Sequence, residues 1–327
     1  MKLTRLLIIG FFGLLTVLLL IRLSEIDISW QTLQQINIVY LGIAIVFHYS
    51  GFIIRGIRWQ KILQGLGYKL NYSYTTALLM TGWFVSALVP ARMGDIVRAY
   101  MLKRDHKISL AYSLGSIATE RALDISAILL LAMYSAMWAL ANQTPAWVWQ
   151  SIVAGVIFII IAIIFILTTP KIEQKLRLLT TWLLYQKMLT FFFELLASIR
   201  QLGQNPILLT YLFLQSIYIW LCDVALMYFG FLSIDAVIPI NVVTFTAMAT
   251  DLASAVPIIP GAVGQFEATA LGIFALFQVN HQQSSLVILL NRFISFWSFI
   301  IVSGFIAYWF GFSQVLKSNK TMSGTET

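Results

Sequence analysis

Residues 72–102 read YSYTTALLMTGWFVSALVPARMGDIVRAYML, and this stretch decides how the chain is organised. It is apolar enough to enter a bilayer, yet Pro90 and Gly94 interrupt it, and Arg92, Asp95 and Arg98 stand beside the break. Proline inside a helix removes a backbone hydrogen bond and clashes with the preceding turn, so one straight spanning helix is excluded. Basic residues flank it on both sides: Arg55, Arg58, Lys61 and Lys69 before, Lys103, Arg104 and Lys107 after. Because basic loops stay in the cytoplasm, the segment enters and leaves on one side, as a re-entrant hairpin. Irregular backbone at that depth needs protein or a wet cavity around it to satisfy its N–H and C=O groups.

Around this hairpin lie six uninterrupted apolar tracts, residues 6–21, 38–54, 122–140, 148–167, 207–229 and 286–310. Most are close to the roughly 20 residues that cross a bilayer as a helix. Of 327 residues, 60% are hydrophobic and 10% charged, which excludes an ordinary soluble domain. The net charge of +8 comes from short basic clusters between the tracts, so it reads as a topology signal and not as a nucleic-acid surface. A lone Cys222 cannot form an internal disulfide, and His48, His106 and His281 are too scattered for a zinc site, so no metal and no cofactor are expected. Residues 6–21 follow Lys2 and Arg5 without a cleavage signal and read as a retained helix.

Sixteen of the 21 basic residues fall in the loops on the side of Lys2 and Arg5. This bias predicts a multi-pass protein of the bacterial inner membrane with both termini cytoplasmic. By the same count, residues 237–279, broken by Pro260, Gly261 and Gly264, begin and end outside and form a second hairpin from the opposite face. Residues 171–202 carry Ile172, Leu176, Leu179 and Leu183 at helical spacing, with Lys187 and Glu194 further on, and predict an amphipathic helix on the cytoplasmic interface. The tail, 317–327, is polar and expected to be disordered.

The two hairpins share the pattern P-x-x-x-G, at Pro90 to Gly94 and at Pro260 to Gly264. Arg121 follows Gly94 by 27 residues and Arg292 follows Gly264 by 28, and each arginine leads into a long apolar tract. With opposite entry sides, residues 38–140 and 206–310 read as an inverted repeat, the arrangement in which paired interrupted segments locate a transporter's substrate site. The fold class is therefore all-α and polytopic, with about six spanning helices and two re-entrant hairpins.

Ionised side chains inside a membrane cost about 2.5 to 3.5 kcal/mol at its centre, so they mark function by default. Here they are Arg92, Asp95, Arg98, Glu120, Arg121 and Asp124 in the first half, and Asp251, Glu267 and Arg292 in the second. Glu120 and Asp124 share a helix face and require a cation nearby, for which Arg92, Arg98 or a ligand amine are candidates. Arg121 and Arg292 suit a phosphate, which guanidinium binds through two parallel hydrogen bonds. Mutual pairing that pins the hairpins is the competing reading for the carboxylates, with Glu267 the expected partner of Arg292. Arg55, Arg58 and Trp59, at the end of the 38–54 tract, read as interfacial anchors.

Arg55-Gly-Ile-Arg-Trp59, Pro90 through Arg98, Glu120-Arg121 with Asp124, Ile259 through Glu267, and Asn291-Arg292 together resemble the lysylphosphatidylglycerol synthase transmembrane, or flippase-like, family over nearly the whole chain. Asp95 stands where the family pattern favours Glu, and the charge is kept. The resemblance implies a lipid-translocating module without the soluble aminoacyl-transferring domain, hence no synthase activity. It singles out Arg92, Gly94, Asp95, Arg98, Glu120, Arg121, Pro260, Gly261, Gly264, Glu267 and Arg292 as a headgroup site, to which the charge reading adds Asp124. The expected function is translocation of an anionic or aminoacylated phospholipid, or of a polyprenyl-phosphate-linked lipid, by a protein that is not an enzyme. The alternatives are an intramembrane lipid-phosphate enzyme, or a non-transporting subunit whose partner is a lipid-modifying enzyme or glycosyltransferase.

Overall fold

A computed structural model describes residues 35–89, 92–139, 183–255 and 260–323, with isolated positions between 150 and 169. The 6–21 tract and Pro90 lie outside the described residues, as does most of 148–167. The described elements are all helical: α1 (Ile38–Gly65), α2 (Tyr72–Leu88), α3 (Met93–His106), α4 (Leu110–Ala139), α5 (Leu183–Gly203), α6 (Pro206–Leu232), α7 (Ile240–Ala253), α8 (Gln265–Leu276), α9 (His281–Arg292) and α10 (Phe299–Ser323).

Four helices among the described residues are long and apolar enough to cross a membrane: Ile38–Gly65, Leu110–Ala139, Pro206–Leu232 and His281–Gly311, the last formed by α9 with most of α10. Three of them start at an asparagine whose side chain accepts a hydrogen bond from the first turn: Asn37 from Val39, Asn205 from Leu208, and Asn280 from Gln282 and Gln283. Their outward faces expose large apolar side chains, among them Leu214, Ile301, Phe305 and Trp309. Such a surface belongs against lipid, and the chain is a multi-pass membrane protein.

Two helices are longer than their apolar tracts. Tract 38–54 continues to Gly65, and the helix expected over 122–140 begins at Leu110. The hydropathy reading stops at the first charges, but those charges are buried against other helices, and the backbone continues through them.

The decisive stretch, 72–102, folds as α2 and α3 packed against each other. Val89 is extended and Arg92 left-handed, with φ of 51°, so the chain reverses between the two arms. The crossing is held at Gly82 and Gly94: a Cβ on Gly94 would overlap the Gly82 carbonyl. Small residues at a membrane-helix crossing permit this approach. Gly94→Ala is therefore expected to destabilise the protein by about 1 to 3 kcal/mol through overpacking, measured as thermal unfolding in detergent.

Residues 237–279 also fold as a broken pair, α7 and α8, joined through a tight turn at Pro260–Ala262. Gly261 and Gly264 have φ of 69° and 82°, a region that favours glycine. The Glu267 carboxylate accepts the Gly264 N–H at 2.7 Å and closes the start of α8. Residues 293–298 between α9 and α10 form a π-helical turn, an insertion frequent at functional sites.

Each broken pair packs on a long helix distant from it in sequence. Arm α2 packs on α10, arm α7 packs on α4, and α1 lies along α6. Arm α2 also touches the turn at Pro260–Ala262. The predicted interfacial segment is described from Leu183, where α5 packs on α4 and carries Lys187 on its exposed side. Gly115 makes room there for Ser198. Helix α10 runs to Ser323, past the start of the tail expected to be disordered.

Candidate functional site

A cavity of about 250 Å³ opens where the two broken pairs meet the long helices. Its charged lining is Arg55 from α1, Arg92 and Asp95 from the first pair, Arg121 from α4, Asp223 from α6, Asp251 from α7 and Arg292 from α9. Trp83, Trp220, Phe296 and Phe299 supply aromatic walls.

Behind the α4 side lies an ion network. Arg58 reaches Asp124 through both terminal nitrogens, at 2.5 and 3.1 Å, and donates to the Ser216 hydroxyl at 2.6 Å. Arg98 pairs with Glu120 at 2.8 Å and stacks 4.0 Å from the Trp59 ring centroid. Arg58 and Arg98 are fully buried, as are Glu120 and Trp59, while Asp124 is 3% exposed. The cations that Glu120 and Asp124 require are thus Arg98, one of the sequence candidates, and Arg58, which was not one. Arg55, Arg58 and Trp59, expected as interfacial anchors at the end of a helix, sit inside α1 and are buried between helices, since α1 continues ten residues beyond Arg55 to Gly65.

Arg121 is 24% exposed on the cavity side, held by longer contacts, 3.5 Å to Asp95 and 3.9 Å to Asp124, and its Nε has no hydrogen-bond partner among the described residues. Arg92, poised at the left-handed break, makes no ion pair or hydrogen bond among the described residues. Arg292 differs. Its Nε donates to Glu267 at 2.8 Å, its Nη2 donates to the Gly261 carbonyl at 3.0 Å, and its guanidinium stacks on Phe266 and Phe296. It ties the second turn to α9, in the pairing with Glu267 that the sequence reading expected.

Of the predicted headgroup residues, Arg92, Asp95, Arg121, Gly261 and Arg292 line the cavity. Arg98, Glu120 and Asp124 lie behind it as buried pairs, Gly94 serves the α2–α3 crossing, and Gly264 and Glu267 shape the second turn. Pro260 belongs to that turn, and Pro90 lies outside the described residues. The lining also holds His48, Arg55, Trp83, Trp220, Asp223 and Asp251, which are not among the expected headgroup residues. Asp223 in the middle of tract 207–229 was a legible signal, since a lone carboxylate there is costly. Arg55 donates to it at 3.1 Å while lying within 5.1 to 5.6 Å of the Phe52, Trp83 and Trp220 rings.

Residues 3–303 match the family described as the lysylphosphatidylglycerol synthase TM region. A UPF0104 membrane protein of Methanocaldococcus jannaschii is 30% identical over 237 residues, 72% of this chain and 98% of that protein. One from Pyrococcus horikoshii is 24% identical over 333 residues, 95% of this chain and 96% of its own length. The glycosyltransferase AglD of Haloferax volcanii is 35% identical over 89 residues, 27% of this chain and 14% of that protein. The chain therefore belongs to the family of the lysylphosphatidylglycerol synthase transmembrane region.

Proposed function

We propose that the protein moves a lipid with an anionic phosphate headgroup between the leaflets of the inner, or plasma, membrane, both termini facing the cytoplasm. The observation that carries this reading is the state of the cavity arginines. Arg92 has no partner among the described residues and Arg121 only long ones, so both keep donors available to a ligand inside a largely apolar enclosure. Guanidinium groups in that condition bind phosphate oxygens with charge-assisted hydrogen bonds, stronger than neutral ones. The headgroup enters the cavity while the tails remain in the bilayer.

The reciprocal packing, α2 on α10 and α7 on α4, supports an inverted repeat with two re-entrant hairpins meeting at the cavity. Alternating access then moves the hairpins against the long helices around a fixed headgroup. The anionic lipid is a phospholipid or a polyprenyl-phosphate-linked species, which share the phosphate that the arginines receive. The partial match to a glycosyltransferase favours a second reading, a membrane subunit that serves such an enzyme.

Reconstitution with a panel of fluorescent lipids separates the two. Translocation predicts protein-dependent exchange of anionic lipids that exceeds that of neutral ones. A partner subunit predicts no exchange, together with lost glycosyl transfer when the protein is removed from cells.

A further inference from the structure

The cavity carries two charge imbalances of opposite sign. On the α4 side, the guanidiniums of Arg58, Arg92, Arg98 and Arg121 outnumber the carboxylates of Asp95, Glu120 and Asp124 by one. Across from them, Asp223, Asp251 and Glu267 outnumber Arg55 and Arg292 by one. Glu267 and Arg292 neutralise each other at 2.8 Å, and Asp223 and Arg55 at 3.1 Å. The excess negative charge rests on Asp251, which lines the cavity from α7 and makes no ion pair or hydrogen bond among the described residues.

His48 supplies a second, independent observation. It is 4% exposed, lines the same cavity, and neither ring nitrogen has a hydrogen-bond partner among the described residues. Its Nδ1 lies 3.9 Å from the Asp223 carboxylate, and its ring meets Phe52 edge-on. A buried polar group left unbonded is costly, and so is an unpaired carboxylate inside a membrane; a proton on Asp251 removes the second cost. Among the described residues no three His, Cys, Asp or Glu side chains are grouped to hold a metal ion, and a single carboxylate takes up a proton without further ligands.

We infer that His48, Asp223 and Asp251 form a proton-binding site, and that one proton crosses with each singly charged lipid anion. The inference rests on the translocation reading. A proton from water on one side forms an O–H bond with the Asp251 carboxylate, in the cavity that His48 and Asp223 also line. The lipid phosphate meanwhile neutralises the surplus guanidinium at Arg92 and Arg121. Both are released on the other side, the carboxylate is restored, and no net charge moves. His48 stands on α1, Asp223 on α6 and Asp251 on α7, so the site joins two long helices to the first arm of the second hairpin.

The test uses the full chain in vesicles holding a fluorescent short-chain phosphatidylglycerol. With the membrane potential clamped, a pH step of one unit should enrich the lipid about tenfold in the leaflet facing the alkaline side, the equilibrium ratio for one proton per anion. A membrane potential imposed at equal pH should enrich it in neither leaflet. Asp251→Asn and, separately, His48→Gln should abolish the pH-driven enrichment. Equal lipid distribution with and without the pH step overturns the proton site while leaving translocation intact. No protein-dependent lipid movement at any pH overturns both. Protein-dependent movement confined to an aminoacylated phosphatidylglycerol, with no leaflet enrichment after the pH step, makes Asp251 an amine site and rejects the proton. The wild-type measurement decides the matter even where a variant fails to fold.

Discussion

Arg58→Met should lower stability by about 3 to 5 kcal/mol, because it strands the Asp124 carboxylate in a dry interior. Arg58 is fully buried, holds Asp124 through two nitrogens and comes within 3.4 Å of Glu120. Glu120 keeps Arg98 after the substitution, whereas among the described residues Asp124 keeps only Arg121 at 3.9 Å and the Trp220 indole at 3.1 Å. Removing both members of the pair, in Arg58→Met with Asp124→Leu, should therefore recover most of the loss, since an apolar pair of similar size replaces a desolvated ion pair at little cost. Thermal and denaturant unfolding in detergent, followed by tryptophan fluorescence, measures both variants. An interfacial anchor would behave differently: its loss would cost under about 1 kcal/mol, and the second substitution would add damage rather than repair it.

The second large effect is on lipid movement. Arg121→Ala and Arg92→Ala should each slow transbilayer movement of an anionic lipid by about 10- to 100-fold, the loss of one or two hydrogen bonds to a charged group. Neither residue is locked in a short ion pair, so the folded state should survive both changes. Arg121→Lys should recover part of the rate, since an ammonium keeps the charge but loses the planar fork. Arg292→Ala should instead unfold at lower temperature, because it strands Glu267 and frees the Gly261 carbonyl. Glu267→Gln in that background should restore much of the stability. Rates from proteoliposomes, set beside melting temperatures of the same preparations, separate the two kinds of arginine. Equal transport by well-folded Arg121→Ala and Arg92→Ala would remove both from the headgroup site.

The matched spacing of Arg121 and Arg292 made them look equivalent, and their positions beside the two breaks were legible in the sequence. Their partners were not. Arg292 faces a carboxylate 25 residues earlier, whose own place depends on two glycines with positive φ. Arg121 faces a cavity assembled from four long helices and both broken pairs, which no local pattern encodes. The broken helices themselves were readable because proline and glycine act on the backbone locally. The extents of α1 and α4 are not legible in hydropathy for a related reason. Hydropathy treats a charge as the end of a helix, while Arg55, Arg58, Glu120 and Arg121 are accommodated by partners far away in sequence. Arg58 and Asp124 are 66 residues apart and meet only after α1 and α4 come together. Asp223 and His48 are visible as polar groups in apolar tracts; Arg55 pairs with Asp223, while neither His48 nitrogen has a hydrogen-bond partner among the described residues.

The central claim is that the charged cavity carries a lipid headgroup across the membrane. It is tested most directly by chemical bleaching of a headgroup-labelled fluorescent phosphatidylglycerol in vesicles containing the purified protein. The account predicts that a membrane-impermeant reductant bleaches the lipid to completion in vesicles that hold the wild-type protein, as inner-leaflet lipid is brought out, and that the inner-leaflet share is bleached about 10- to 100-fold more slowly in vesicles holding Arg121→Ala. Bleaching that stops at the outer leaflet's share with folded wild-type protein, under every pH condition, would contradict it.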